Sequence, residues 1–106
     1  MTEGLDRLFA TIAARKGADP AQSYTAKLLD AGVEKCAKKF GEEAIETVIA
    51  AIQKDKSELA KESADVLYHL AVLWAASGLT PQDVYAVLKS REAMSGLEEK
   101  ASRPKG

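Results

Sequence analysis

Apolar residues recur along this chain with a helical period almost throughout. Leu5, Leu8, Phe9 and Ile12 fall three or four positions apart and form one narrow stripe. This predicts a first helix from about Thr2 that ends by Gly17. The stretch GADPAQ, residues 17–22, reads as a loop, because Pro20 and its flanks disfavour helix. Ser23 is placed to cap a short helix over SYTAKLLDAG, and Gly32 marks a break. A second long helix is expected from about Val33 to Gln53, with Ile45, Val48, Ile49 and Ile52 as its apolar stripe. Gly41 falls inside it at a cost of about 1 kcal/mol relative to Ala, so it calls for a close neighbour or a ligand. After a turn at 54–56, Asp55 or Ser57 caps a third long helix running to Ser77. Its later part, LAVLWAA, is apolar nearly all round and is expected to be buried on several sides. Gly78 is a natural stop. Thr80, Pro81 and Asp83 then give a cap, a first-position proline and a first-turn acid. The last helix carries Val84, Val87 and Leu88 to about Met94, and residues 96–106 read as a frayed, flexible tail.

The fold expected is therefore all-α: a bundle of four to five helices in one domain, residues 1–95. With 106 residues the core is small, so completion by association through an apolar face is expected. Apolar residues at 46% make wholesale disorder untenable. A net charge of −1 argues against broad binding to nucleic acid or anionic membranes. The longest apolar run, Leu70–Ala76, is too short to span a bilayer, and the start MTEGLDRLFA lacks the features of a secretion signal. The single cysteine, Cys36, excludes an intramolecular disulfide and a thiolate metal cluster, and fits a cytoplasmic setting.

The chemistry in the pattern is acidic. Glu42, Glu43 and Glu46 lie on the second long helix, and Glu62 and Asp65 on the third. Glu43 with Glu46, and Glu62 with Asp65, share a helix face. An ExxE pair, fifteen residues and an ExxD pair describe a hairpin that can bring two acidic faces together. Like charges at four-residue spacing, as in Glu42 with Glu46 and Glu58 with Glu62, repel, and a hard divalent cation removes that penalty. Zinc does not suit a chain with one histidine and no thiolate set. A di-iron bundle needs Glu-x-x-His motifs, and His69 has Val66 three residues before it. The competing reading is a solvated acidic face offset by Lys38, Lys39 and Lys61; by spacing alone the two stand about level. His69 continues the line of Glu62 and Asp65 and is read as a core histidine satisfied locally, with a ligand contact as the alternative. Tyr68 and Trp74 read as packing residues and Cys36 as a small apolar one. Ser23, Tyr24, Thr25 and Lys27 cluster at a helix start, where anions are favoured, while Arg15, Lys16, Lys39 and Arg91 add charge.

The segments RKGADPAQSYTAKLL (15–29), KFGEEAIE (39–46), ESADVLYHLAVLW (62–74) and LKSR (88–91) together resemble the phosphoribosyl-ATP pyrophosphohydrolases, a branch of the MazG-like all-α nucleotide pyrophosphohydrolases. The resemblance covers about Leu5 to Arg91. It implies a MazG-like bundle completed by homodimerisation, with Mg²⁺-dependent hydrolysis of phosphoribosyl-ATP between its α and β phosphates in histidine biosynthesis. By position, Glu43, Glu46, Glu62 and Asp65 match its metal motif. Glu42 matches the other acid of its EE pair, for a second metal or for orienting water. Ser23, Tyr24, Thr25, Lys27, Lys39 and Arg91 match positions assigned to substrate binding. Phe40 departs from the smaller aliphatic common there. The alternatives are a house-cleaning pyrophosphohydrolase of dNTPs, sharing the metal site, and a non-catalytic helical dimerisation module.

Overall fold

The computed structural model describes residues 3–92, and among these every regular element is helical. The order is α1 (Glu3–Ala14), α2 (Tyr24–Ala31), α3 (Val33–Ile52), α4 (Lys56–Ser77) and α5 (Pro81–Ser90). The expected start at Thr2, the end near Met94 and the tail at 96–106 lie outside the described residues.

Local chemistry fixes most boundaries. The Ser23 hydroxyl accepts from the Ala26 amide at 3.1 Å and starts α2. Of the two candidate caps for α4, Asp55 takes the role, accepting from the Glu58 amide at 3.0 Å. Thr80 and Asp83 form a reciprocal capping box, with Pro81 opening α5. Gly78 closes α4 at φ 78°, a left-handed conformation that suits glycine. Arg91 closes α5.

The long helices α3 and α4 form an antiparallel hairpin joined by only three residues; α1 packs on α4, α2 packs on both helices, and α5 packs on α1. The core gathers Ile12 of α1, Leu28 of α2, Cys36 of α3 and Ala71 and Val72 of α4. Each large side chain there contributes about 1.5–3 kcal/mol by burial. The Cys36 thiol donates to the Leu28 carbonyl at 3.2 Å, and burial pushes its pKa up, as befits a packing residue. The apolar part of α4 is buried on several sides, as its composition requires. The stripe on α3 behaves differently. Ile45, Val48, Ile49 and Ile52 all face outward, Ile52 to 73% exposure.

Candidate active site

The hairpin turn sets the acidic geometry. Because α3 runs towards it and α4 away, the end of one acidic face meets the start of the other. Thr47 fixes their register. Its hydroxyl lies 2.8 Å from the Glu43 carbonyl and 3.3 Å from the Glu62 carbonyl, spanning the two helices at the level of the acids. No sequence signal marked Thr47, since a helical threonine commonly bonds back to its own helix.

Glu43, Glu62 and Asp65 bring carboxylate oxygens within 4.8 Å of one another. Glu46 adjoins them. Its carboxyl is held above the usual range by hydrogen bonding and charge from Glu43, then from Glu62. Glu62 is buried, and burial works to raise its pKa. The Lys61 ammonium and the neighbouring Glu58 and Glu46 carboxyls outweigh that and leave it lowered. Lys61 lies 3.3 Å from Glu62, 3.8 Å from Glu58 and 3.9 Å from Asp65. Glu42 stands outside the convergence, exposed and paired with Lys39 at 3.5 Å.

The donor set suits a hard cation. It is all carboxylate and spans two helices. It also contains a buried oxygen, Glu62 Oε2, that accepts no hydrogen bond. A buried acceptor left unpaired costs about 1–3 kcal/mol, and a cation would relieve it.

The second group of residues lies on α2. Ser23, Tyr24 and Lys27 line an open groove of about 680 Å³ together with Gln22 and Asp30. The Ser23 hydroxyl oxygen already serves as a helix cap there. Thr25 turns the other way and shares a short hydrogen bond with the Tyr68 hydroxyl, tying α2 to α4. Tyr68, read from sequence as packing alone, thus also has a polar role; its partner lies too far along the chain for spacing to reveal. Arg91 lines a hollow on α5 with Leu79, Asp83, Val84, Val87 and Leu88, none of which carries the clustered acids.

His69 sits between the two groups. It is buried, with the ring of Tyr68 edge-on at 5.0 Å and that of Tyr24 at 6.3 Å. Burial holds its imidazole below the usual histidine range, against the pull of Asp65. The expectation of a buried histidine holds, but not of one satisfied locally: Nδ1 is buried without a hydrogen-bond partner. Gly41 is a second departure. A Cβ there would meet nothing within 4 Å, so no close neighbour in the described chain explains it.

The chain matches the family model described as phosphoribosyl-ATP pyrophosphohydrolase over residues 5–92. It is 64% identical over 99 residues to the phosphoribosyl-ATP pyrophosphatase of Parvibaculum lavamentivorans, covering 93% of this chain and 91% of that protein. The protein of the same name from Azospirillum brasilense is 60% identical over 99 residues, covering 93% and 89%. The one from Paracoccus denitrificans is 60% identical over 100 residues, covering 94% and 93%.

Proposed function

The chain belongs to the phosphoribosyl-ATP pyrophosphohydrolase family, and from that membership we infer that it hydrolyses phosphoribosyl-ATP between the α and β phosphates, yielding phosphoribosyl-AMP and pyrophosphate in the second step of histidine biosynthesis. The observation that carries this reading is the convergence of Glu43, Glu62 and Asp65 from two helices, together with a Glu62 Oε2 that is buried and unpaired. A solvated acidic face has no reason to bury one of its oxygens unpaired.

Glu43, Glu46, Glu62 and Asp65 are the residues we assign to hold Mg²⁺. Bound there, the ion would supply positive charge against the polyphosphate and Lewis acidity for activating a water. The chain's own groups do the rest. Glu42, exposed beside the cluster, orients the attacking water and takes up its proton. The water oxygen bonds to phosphorus in line, and the P–O bond opposite breaks with its electron pair on the departing phosphate. Lys27 and Lys39 supply charge to the phosphate oxygens. Ser23, Tyr24 and Thr25 shape the α2 side of the substrate site, with the Thr25–Tyr68 bond holding α2 against the helix that bears Glu62 and Asp65. Arg91 joins this set on the family resemblance alone.

The outward stripe of Ile45, Val48, Ile49 and Ile52 supports a homodimer through α3, the same helix that carries Glu43 and Glu46. No helix among the described residues is long and apolar enough to cross a membrane.

The decisive assay is pyrophosphate release from phosphoribosyl-ATP, with and without Mg²⁺, beside a panel of dNTPs. Mg²⁺-dependent cleavage confined to phosphoribosyl-ATP is expected. Preference for dNTPs would retain the metal site and move the chain to house-cleaning chemistry, and inactivity on every substrate would leave a dimerisation module.

A further inference from the structure

His69 is the chain's one histidine, and packing alone does not account for it. It sits on α4 one turn after Asp65, about 6 Å along the helix. At 6% exposure it is more than nine-tenths buried. The ring of Tyr68 meets it edge-on at 5.0 Å, and that of Tyr24 at 6.3 Å. Nδ1 is shut in with no hydrogen-bond partner among the described residues. An orphaned buried nitrogen is a cost to folding. Phenylalanine would fill the same space between two tyrosine rings without that cost.

The orphaned atom fixes what the ring can do. A hydrogen on Nδ1 would have no acceptor, so the neutral ring carries its hydrogen on Nε2. Burial, against the pull of Asp65 and Glu42 and with the push of Lys39, favours the neutral ring. Nε2 leaves the ring on the side away from Nδ1 and is not sealed in the same way. His69 is therefore a neutral donor between two places: the clustered acids that include Asp65, and the α2 groove that Tyr24 lines with Ser23 and Lys27. A phosphate is better met by a cation, and Lys27 and Lys39 supply that. A neutral N–H suits a neutral oxygen. Along a nucleotide from its phosphates, the first hydroxyls met are those of the ribose.

We propose that His69 is a specificity-determining residue whose Nε2–H donates to a hydroxyl of the ribose that carries the α phosphate, in the gap between the clustered acids and the α2 groove. A site that hydrogen-bonds a substrate hydroxyl from a buried donor rejects the analogue that lacks it, because the donor is then left unpaired. His69 thereby sets the ribonucleotide apart from deoxynucleotides that the same acids could serve. The proposal rests on the phosphoribosyl-ATP reading of the site.

The test uses the full chain and phosphoribosyl-AMP, with two further forms that lack the 2′- or the 3′-hydroxyl on that ribose. By calorimetry, the wild type is expected to bind one of the deoxy forms about tenfold more weakly. His69→Phe is expected to bind all three forms equally, at the affinity of the weaker deoxy form. His69→Gln, whose amide can place an N–H near the position of Nε2, should recover part of the preference. Heteronuclear NMR of the single imidazole in the wild type should show the Nε2–H tautomer, with its proton protected from exchange once phosphoribosyl-AMP is bound. Equal binding of the three forms by the wild type, a preference kept in His69→Phe, or an Nδ1–H tautomer would overturn the assignment and leave the phosphoribosyl-ATP reading standing. No binding of phosphoribosyl-AMP by the wild type would remove both.

Discussion

The two long helices of the hairpin carry similar numbers of apolar residues and put them to opposite use. On α4 the apolar residues surround the second half of the helix, and Ala71 and Val72 are wholly buried within the chain. On α3 they form one clean stripe, and Ile45, Val48, Ile49 and Ile52 are exposed. The better-patterned helix is thus the one left uncovered. Amphipathic patterning states that a face needs covering; it does not state whether the cover comes from the same chain. Each helix also contributes carboxylates, so the site straddles an internally fixed wall and a wall open to a partner.

Breaking the buried side should have the largest effect. Val72→Asp places an unpaired charge in the core, at a cost comparable to the whole stability of a small domain, on the order of 5 kcal/mol. Loss of the helical circular dichroism signal is expected. Next comes the chemistry: Asp65→Asn or Glu62→Gln should lower kcat by more than about 100-fold, since even partners behind metal ligands matter by 10–100-fold. Thermal melting of either metal-free variant should match the parent within a few degrees. Retained turnover at ordinary Mg²⁺ would remove these acids from the site.

On the open side, Ile49→Asp should halve the mass measured by sedimentation while leaving the helical content of the chain intact. Its effect on the isolated chain should stay within about 0.5 kcal/mol, as for surface changes generally. Unchanged mass would show that α3 is not the associating face. The smallest effect concerns pH. The Glu46 carboxyl is raised in the fold by Glu43 and then Glu62. Its stabilising contribution is therefore present below the ordinary carboxylate range and lost as pH rises through its folded value. Glu62 is shifted the other way, so its contribution fades as pH falls. The difference between wild type and Glu46→Gln isolates the first effect. Without metal, the wild type should lose melting temperature relative to Glu46→Gln as pH climbs from 4 towards 7, and Mg²⁺ should abolish that loss.

The helices were largely legible in the sequence because their ends are written in short-range chemistry: Ser23, Asp55 and the Thr80–Asp83 box each act within three residues. The acidic hairpin was legible for the same reason, since helix spacing fixes which acids share a face. What spacing did not give was depth and contact. Glu62 and Glu46 carry the same side chain on facing helices, yet one is buried and the other exposed. The Thr25–Tyr68 bond, the bridge made by Thr47 and the unpaired Nδ1 of His69 all arise from packing between distant segments. The reason for Gly41 was sought in a close neighbour, and the described chain offers none.

The three-residue turn between α3 and α4 has a kinetic consequence. All the clustered acids fall within one helical hairpin, so bringing them together closes only a short loop and forfeits little chain entropy. Contacts so close in sequence form early and fast. A nascent chain leaving the ribosome can assemble its charged cage once α4 has emerged, before α5 exists to dock. The repulsion among those like charges is then present from the first moments of folding, and a divalent ion held as proposed above would stabilise the hairpin as it forms, in addition to serving the reaction.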